Sequence, residues 1–133
     1  MKTVLTIAGS DSLGGAGVQA DIRTIASLGA HALTAIAALT AQNSLGISAV
    51  HVVPAPFLEK QIESILEDVV PDAVKIGMLY SPANIRKVAV LVRKHRLTNV
   101  VLDPVLKATT GKPLIESDAL TLLKKVLAPL VTV

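Results

Sequence analysis

The 133-residue sequence has no cysteine, no tryptophan and only two aromatic residues, Phe57 and Tyr80. The lack of cysteine excludes disulfides, thiolate metal sites and cysteine nucleophiles together. It suits a reducing compartment, so a cytoplasmic location is expected. Two aromatic rings leave base stacking almost nothing to work with, which argues against nucleic acid as a partner. No apolar run approaches the ~20 residues needed to cross a bilayer. Met1-Lys2-Thr3 leads into a short apolar run before Gly9-Ser10-Asp11, too short for a secretory signal. Charge is also sparse, at 17% of residues with a net +3. The basic residues scatter except at Arg86-Lys87 and Arg93-Lys94-His95-Arg96, and the second group reads as the solvated C-terminal end of a helix.

What is present is a hydrophobic content of 51%, enough for a core and against disorder. Its pattern alternates strand-length runs with helical periodicity. Residues 3–8 read as a buried strand. Val18, Ile22, Ile25 and Leu28 recur at helical spacing, and Gly29 stands where a C-terminal cap belongs. Residues 31–38 read as a second strand and 47–53 as a third, ended by Pro54 and Pro56. A helix over 57–69 puts Ile62, Ile65, Leu66 and Val69 on one face and Glu59, Glu63 and Glu67 away from it. Residues 73–76 form a short strand. Ser81-Pro82 is a helix start, followed by the stripe Ile85, Val88 and Val92. Residues 99–102 form a strand stopped by Asp103-Pro104. Ser117 or Asp118 caps a last helix that Pro129 ends, and 130–133 opens another strand.

This alternation implies an α/β fold: a three-layer α/β/α arrangement around a mostly parallel central sheet. The polar and glycine-rich segments at 9–17, 42–46, 77–80 and 103–111 follow strands and should gather at one edge, where such sheets bind ligands. No repeat or linker divides the chain. The pattern stops inside what reads as an inner strand. The expectation is therefore that residues 1–133 are the N-terminal, substrate-binding portion of a single domain of about 200–250 residues, incomplete at the C-terminus.

Single motifs decide little. Gly15-Ala16-Gly17-Val18-Gln19-Ala20 fits G-x-G-x-x-A, but the second strand ends in Thr40-Ala41-Gln42-Asn43, without the acid that a dinucleotide ribose needs. Gly111-Lys112-Pro113 lacks the glycine-rich cradle and the Ser/Thr of a Walker A loop. His31, His51 and His95 have no metal-ligand spacing, and no G-x-S-x-G elbow occurs. Asp21, one turn into the first helix, reads either as a surface carboxylate or as a group facing the strand ends. Gln42 reads either as half of a turn pair or as an amide suited to the edge of an aminopyrimidine-like ring.

Four blocks taken together are more specific: Ala8-Gly9-Ser10-Asp11-Ser12-Leu13-Gly14-Gly15-Ala16-Gly17-Val18-Gln19-Ala20-Asp21, Thr40-Ala41-Gln42-Asn43, Lys75-Ile76-Gly77-Met78-Leu79 and Val101-Leu102-Asp103-Pro104-Val105. In this order and spacing the chain resembles the bacterial hydroxymethylpyrimidine/phosphomethylpyrimidine kinases of thiamine biosynthesis, in the ribokinase-like superfamily. The related pyridoxal kinases share parts of the pattern. The resemblance implies ATP-dependent phosphorylation of 4-amino-5-hydroxymethyl-2-methylpyrimidine and then of its monophosphate, with Mg²⁺, in a protein that is commonly a homodimer. It implies a pyrimidine pocket at Gly9, Asp21, Gln42, Met78 and Val105. Gln42 would meet the ring edge, Met78 and Val105 its faces, and Asp21 the amino group or a ring nitrogen. Asp103 resembles the family's acidic residue near the Mg²⁺–phosphate region.

Two departures stand out. Leu13 replaces a common serine, and Leu106-Lys107-Ala108-Thr109-Thr110-Gly111 replaces a more usual Met-x-x-Lys-Ser-Gly. The catalytic base and glycine-rich anion hole that the resemblance implies are expected beyond Val133, so the 133 residues alone are expected to be inactive. The alternatives are pyridoxal or pyridoxine as the acceptor, or a pyrimidine-binding fragment without catalysis.

Overall fold

The computed structural model describes residues 1–133. The elements run β1 (Thr3–Asp11), α1 (Gly17–Ser27), β2 (His31–Asn43), β3 (Gly46–Val52), α2 (Ala55–Leu66), β4 (Ala73–Ile76), α3 (Pro82–Lys94), β5 (Val100–Leu102) and α4 (Ala119–Leu122). They form one five-stranded sheet in the order β3-β2-β1-β4-β5. β1 pairs in parallel with β2 and β4, and β4 with β5, while β3 returns antiparallel beside β2. The mostly parallel sheet stands as expected, with one antiparallel edge.

Alternation along the strands sorts the two faces. Leu5 and Ile7 of β1, Ala35 and Ala37 of β2, Val74 and Ile76 of β4 and Val100 of β5 are buried in one cluster. Leu58 and Ile62 of α2 and Ile85, Val88 and Val92 of α3 pack against them. The opposite face carries Thr6 and Lys75, which are paired neighbours on β1 and β4 and which both reach Asp21 of α1. Helices therefore lie on both sides of the sheet, which supplies the three layers.

Local signals explain several boundaries. Ser81 caps α3 by accepting a bond from the Asn84 amide at 3.2 Å, and Pro82 takes the first helical position, where its missing N–H costs nothing. Arg93 and Lys94 close the last turn of α3, as the charge pattern implied. Other expectations are corrected. Ile22 and Leu28 are 41% and 79% exposed, so α1 buries only Val18 and Ile25. β2 runs on to Asn43, because its polar end is the paired arm of a hairpin with β3. The last helix is α-helical for one turn, passes into a π turn over Leu123–Leu127, and ends in a 3-10 turn over Ala128–Leu130. Residues 131–133 are not a strand, although the Thr132 amide donates to Val100 O at 2.7 Å and the Leu102 amide to Val133 O at 2.8 Å.

The glutamates of α2 are not simply solvated. Glu59 pairs with Lys87 at 2.7 Å, and Glu63 pairs with Lys94 at 2.7 Å. His95 Nε2 lies 2.9 Å from Glu63 Oε2. The Lys94 ammonium first, and His95 second, hold the Glu63 carboxyl below its ordinary range. A depressed folded pKa gives stability that is complete above the unfolded value of 4.5 and is lost as pH falls through the lowered one. Glu63→Gln is expected to flatten the loss of urea-measured stability below pH 4.5 by at most ~1 kcal/mol, since the pair is near the surface. Identical acid profiles for the two chains would dismiss the pair as a contributor.

Candidate functional site

The carboxyl ends of β1, β2, β4 and β5 surround a cavity of about 300 Å³. All six residues singled out in the sequence line it: Gly9 and Asp21, Gln42, Met78, Asp103 and Val105. The amide at position 42 and the thioether at position 78 thus share one cavity, although different strands deliver them.

The loop from β1 into α1 is organised by Asp11, whose side chain is nearly buried. Its Oδ1 accepts from the Leu13 amide at 2.9 Å and its Oδ2 from the Ala16 amide at 2.8 Å. Asp11 therefore holds the loop as far as Ala16, the residue before α1, and the glycine pattern here serves a loop tied to its own carboxylate. Gln19 completes the turn, accepting from the Asp11 amide at 2.9 Å and donating to Ser10 Oγ at 2.8 Å.

Gln42 sits at the end of β2, not in a loop, beside a register shift at Ala41. Its backbone is tied to Ser12, which donates to Gln42 O at 2.7 Å and accepts from its amide at 2.8 Å. Thr40 Oγ1 lies 3.3 Å from Gln42 Oε1 and 2.9 Å from Ser10 O. Met78 packs with Ala38 and Leu114, and Val105 lies against that group. The loop after β5 covers this side. It is folded on itself by the Lys107–Pro113 bridge and held to β3 by Lys112, which donates to Ile47 O at 2.9 Å.

Asn84 fixes the corner beside Met78. It is fully buried, and the two hydrogens of its Nδ2 are shared among Ala37 O, Val53 O and Leu79 O at 3.1–3.3 Å. The following Tyr80 has φ of +68°, uncommon for a residue with a side chain. The chain is thus turned sharply straight after Met78.

Asp21 lines the cavity at the strand ends and is engaged there by side chains of this chain. Thr6 Oγ1 donates to its Oδ2 at 2.6 Å, and Lys75 Nζ is 3.1 Å from both oxygens. Lys75 also stands 3.8 Å from Asp103 Oδ2. Lys75 lines the cavity and was not named as a site residue, although it opens the third block and is a lysine inside the otherwise apolar strand Ala73–Ile76. Asp103, 57% exposed, contributes a single carboxylate. Mg²⁺ commonly takes one or two carboxylates, with phosphate oxygens and water completing its shell, so Asp103 fits as one such ligand.

The family model described as phosphomethylpyrimidine kinase matches residues 11–133. The chain belongs to this family. The hydroxymethylpyrimidine/phosphomethylpyrimidine kinase of Bacillus subtilis (strain 168) is 45% identical over 125 residues, which are 94% of this chain and 46% of that protein. The Salmonella typhimurium protein of the same description is 42% identical over 128 residues, 96% of this chain and 48% of that one. Among solved structures, a phosphomethylpyrimidine kinase from Clostridium difficile 630 has a TM-score of 0.93 at 42% identity, covering 98% of this chain and 57% of that chain. A Bacillus subtilis pyridoxal kinase, solved as an ADP complex, has a TM-score of 0.87 at 34% identity and covers 99% and 48%. The chain thus spans about half the length of these relatives. The phosphomethylpyrimidine kinase fold is the ribokinase-like α/β arrangement expected from the four blocks. No helix is long and apolar enough to cross a membrane.

Proposed function

We propose that residues 1–133 form the acceptor-binding portion of a kinase domain. The whole protein would phosphorylate 4-amino-5-hydroxymethyl-2-methylpyrimidine and then its monophosphate, using ATP and Mg²⁺, in thiamine biosynthesis. The observation that carries this reading is the single cavity that gathers Gly9, Asp21, Gln42, Met78 and Val105 at the strand ends. Such a cavity offers an amide for a ring edge, a soft apolar wall for a ring face and a carboxylate for a donor. Bound ATP–Mg²⁺ supplies the phosphoryl group and neutralises its charge, and Asp103 would be one of the metal's ligands. The role of residues 1–133 is to hold the acceptor still, because phosphoryl transfer depends mainly on positioning and charge stabilisation.

Pyridoxal as the acceptor is less favoured. The pyridoxal kinase structures share 31–34% identity with this chain, against 42–49% for the thiamine-pathway relatives. The whole protein should turn over the hydroxymethylpyrimidine with ATP and Mg²⁺, and should prefer it to pyridoxal in kcat/KM. No turnover of the pyrimidine would refute the assignment, and a reversed ratio would make pyridoxal the substrate. On the 133-residue chain, Gln42→Ala should weaken calorimetric binding of the pyrimidine roughly tenfold, the loss of one well-placed hydrogen bond. Equal affinity in the variant and the parent would remove Gln42 from the pocket.

A further inference from the structure

Lys75 is the one charged side chain on β4, and its surroundings are made for it. It lies on the same face as Gly77, two residues on. A Cβ at Gly77 would lie 2.9 Å from Lys75 Nζ and 2.9 Å from Ala8 Cβ. The lysine therefore runs along the strand through space that exists because residue 77 has no side chain. Its ammonium then lies between two carboxylates that come from different elements. It is 3.1 Å from both oxygens of Asp21 on α1 and 3.8 Å from Asp103 beyond β5. Lys75 and Asp21 are only 25% and 18% exposed, so solvent screens this pair less than it screens a surface pair.

Counting acceptors shows the consequence. An ionised carboxylate offers about four lone-pair sites. In Asp21, Thr6 uses one on Oδ2 and Lys75 uses one on each oxygen. One site remains, on Oδ1, in a group whose rotation is blocked from two sides. A clamped carboxylate with one open acceptor site discriminates by direction. It rewards a ligand that brings one N–H to that point, and it gives a ligand without the N–H nothing.

The geometry points to Lys75 as a specificity-determining positioning residue. By clamping Asp21 together with Thr6, it makes the cavity read the exocyclic amino group of its ligand. This inference rests on the aminopyrimidine reading of the cavity and names the residue that enforces it. Lys75 acts through Asp21.

The test compares two ligands on the whole protein by calorimetry: 4-amino-5-hydroxymethyl-2-methylpyrimidine and the same ring without the amino group. The parent should prefer the amino compound. Lys75→Met should weaken the amino compound roughly 10- to 100-fold, the range of a charge-assisted hydrogen bond. It should change the other ligand by no more than about twofold. Thr6→Val removes the second clamp without altering any charge, and should shift the same preference in the same direction. It also keeps the test alive if Lys75→Met unfolds. Equal losses for both ligands would show a merely structural lysine and overturn the inference. Tighter binding of the amino compound by Lys75→Met would also overturn it, since the lysine would then be competing with the ligand. A parent that binds both ligands equally well overturns the inference and keeps the pyrimidine cavity, whereas a parent that binds neither overturns the cavity reading itself.

Discussion

Gly17→Ala is expected to cost about 3 kcal/mol or more of folding stability, on the order of 10 °C in melting temperature for a chain of this size. Gly17 is the first residue of α1 and has φ of +59°. An L residue with a side chain pays roughly 1–2 kcal/mol in that region. The second contribution is steric. A Cβ at this position would overlap Gly9 O and stand 3.2 Å from both the Asp11 amide nitrogen and Gly9 C. These are backbone atoms, and Gly9 and Asp11 are registered against Ala38 and Thr40 of β2, so no rotamer change can relieve the overlap. Gly29 provides the control: its φ is +76°, and a Cβ there would meet nothing within 4 Å. Gly29→Ala should therefore show only the conformational cost, about 1 kcal/mol in urea. Equal losses in the two variants would mean that the close approach of α1 to β1 contributes nothing.

This contrast also marks what the sequence could reveal. Signals confined to a few residues were legible: Ser81-Pro82 opens α3 where it was placed, and the strand at 73–76 has the bounds read from its apolar run. The β2–β3 hairpin was read as a strand, a loop and a strand because its tip, Ser44-Leu45, carries none of the strong turn dipeptides. The loosening of the last helix into a π turn over Leu123–Leu127 left no mark between its cap at Ser117 or Asp118 and its end at Pro129. The four blocks brought the cavity residues together through a resemblance. Their actual partners follow from tertiary structure. Lys75 and Asp21 are 54 residues apart and meet because β4 pairs with β1 and α1 crosses the same face. Periodicity describes which face a residue takes, and it is silent on what another element brings to that face. The tying of the β1–α1 loop to Asp11 was hidden for a related reason. A short acid before a glycine run resembles any turn until its oxygens are seen to accept from Leu13 and Ala16.

Gly9→Ala is the complementary case: the fold should survive and the cavity should not. The Cβ of an alanine at position 9 would overlap Met78 Cε, with Ala38 O at 3.6 Å and Met78 Sδ at 3.8 Å. The crowded atom is the far end of an unbranched thioether with three rotatable bonds, so it can swing aside. The stability cost should therefore stay near ~1 kcal/mol, the low end for an added methyl in a packed region. Met78 is nearly buried against Ala38 and Leu114, and the same side chain forms part of the cavity wall. Wherever the thioether moves, the wall offered to a ring face changes. A displacement of about 1 Å in a positioning contact is enough for up to a hundredfold loss in a reaction. Affinity of the 133-residue chain for the hydroxymethylpyrimidine should fall roughly tenfold or more. The double variant Gly9→Ala/Met78→Ala separates the causes. If displaced sulfur blocks the ring, shortening residue 78 should recover part of the lost affinity. If the new methyl itself occupies the ring's place, nothing should return. A Gly9→Ala chain as unstable as Gly17→Ala, or one that binds like the parent, would contradict the view that Gly9 exists to leave room for Met78.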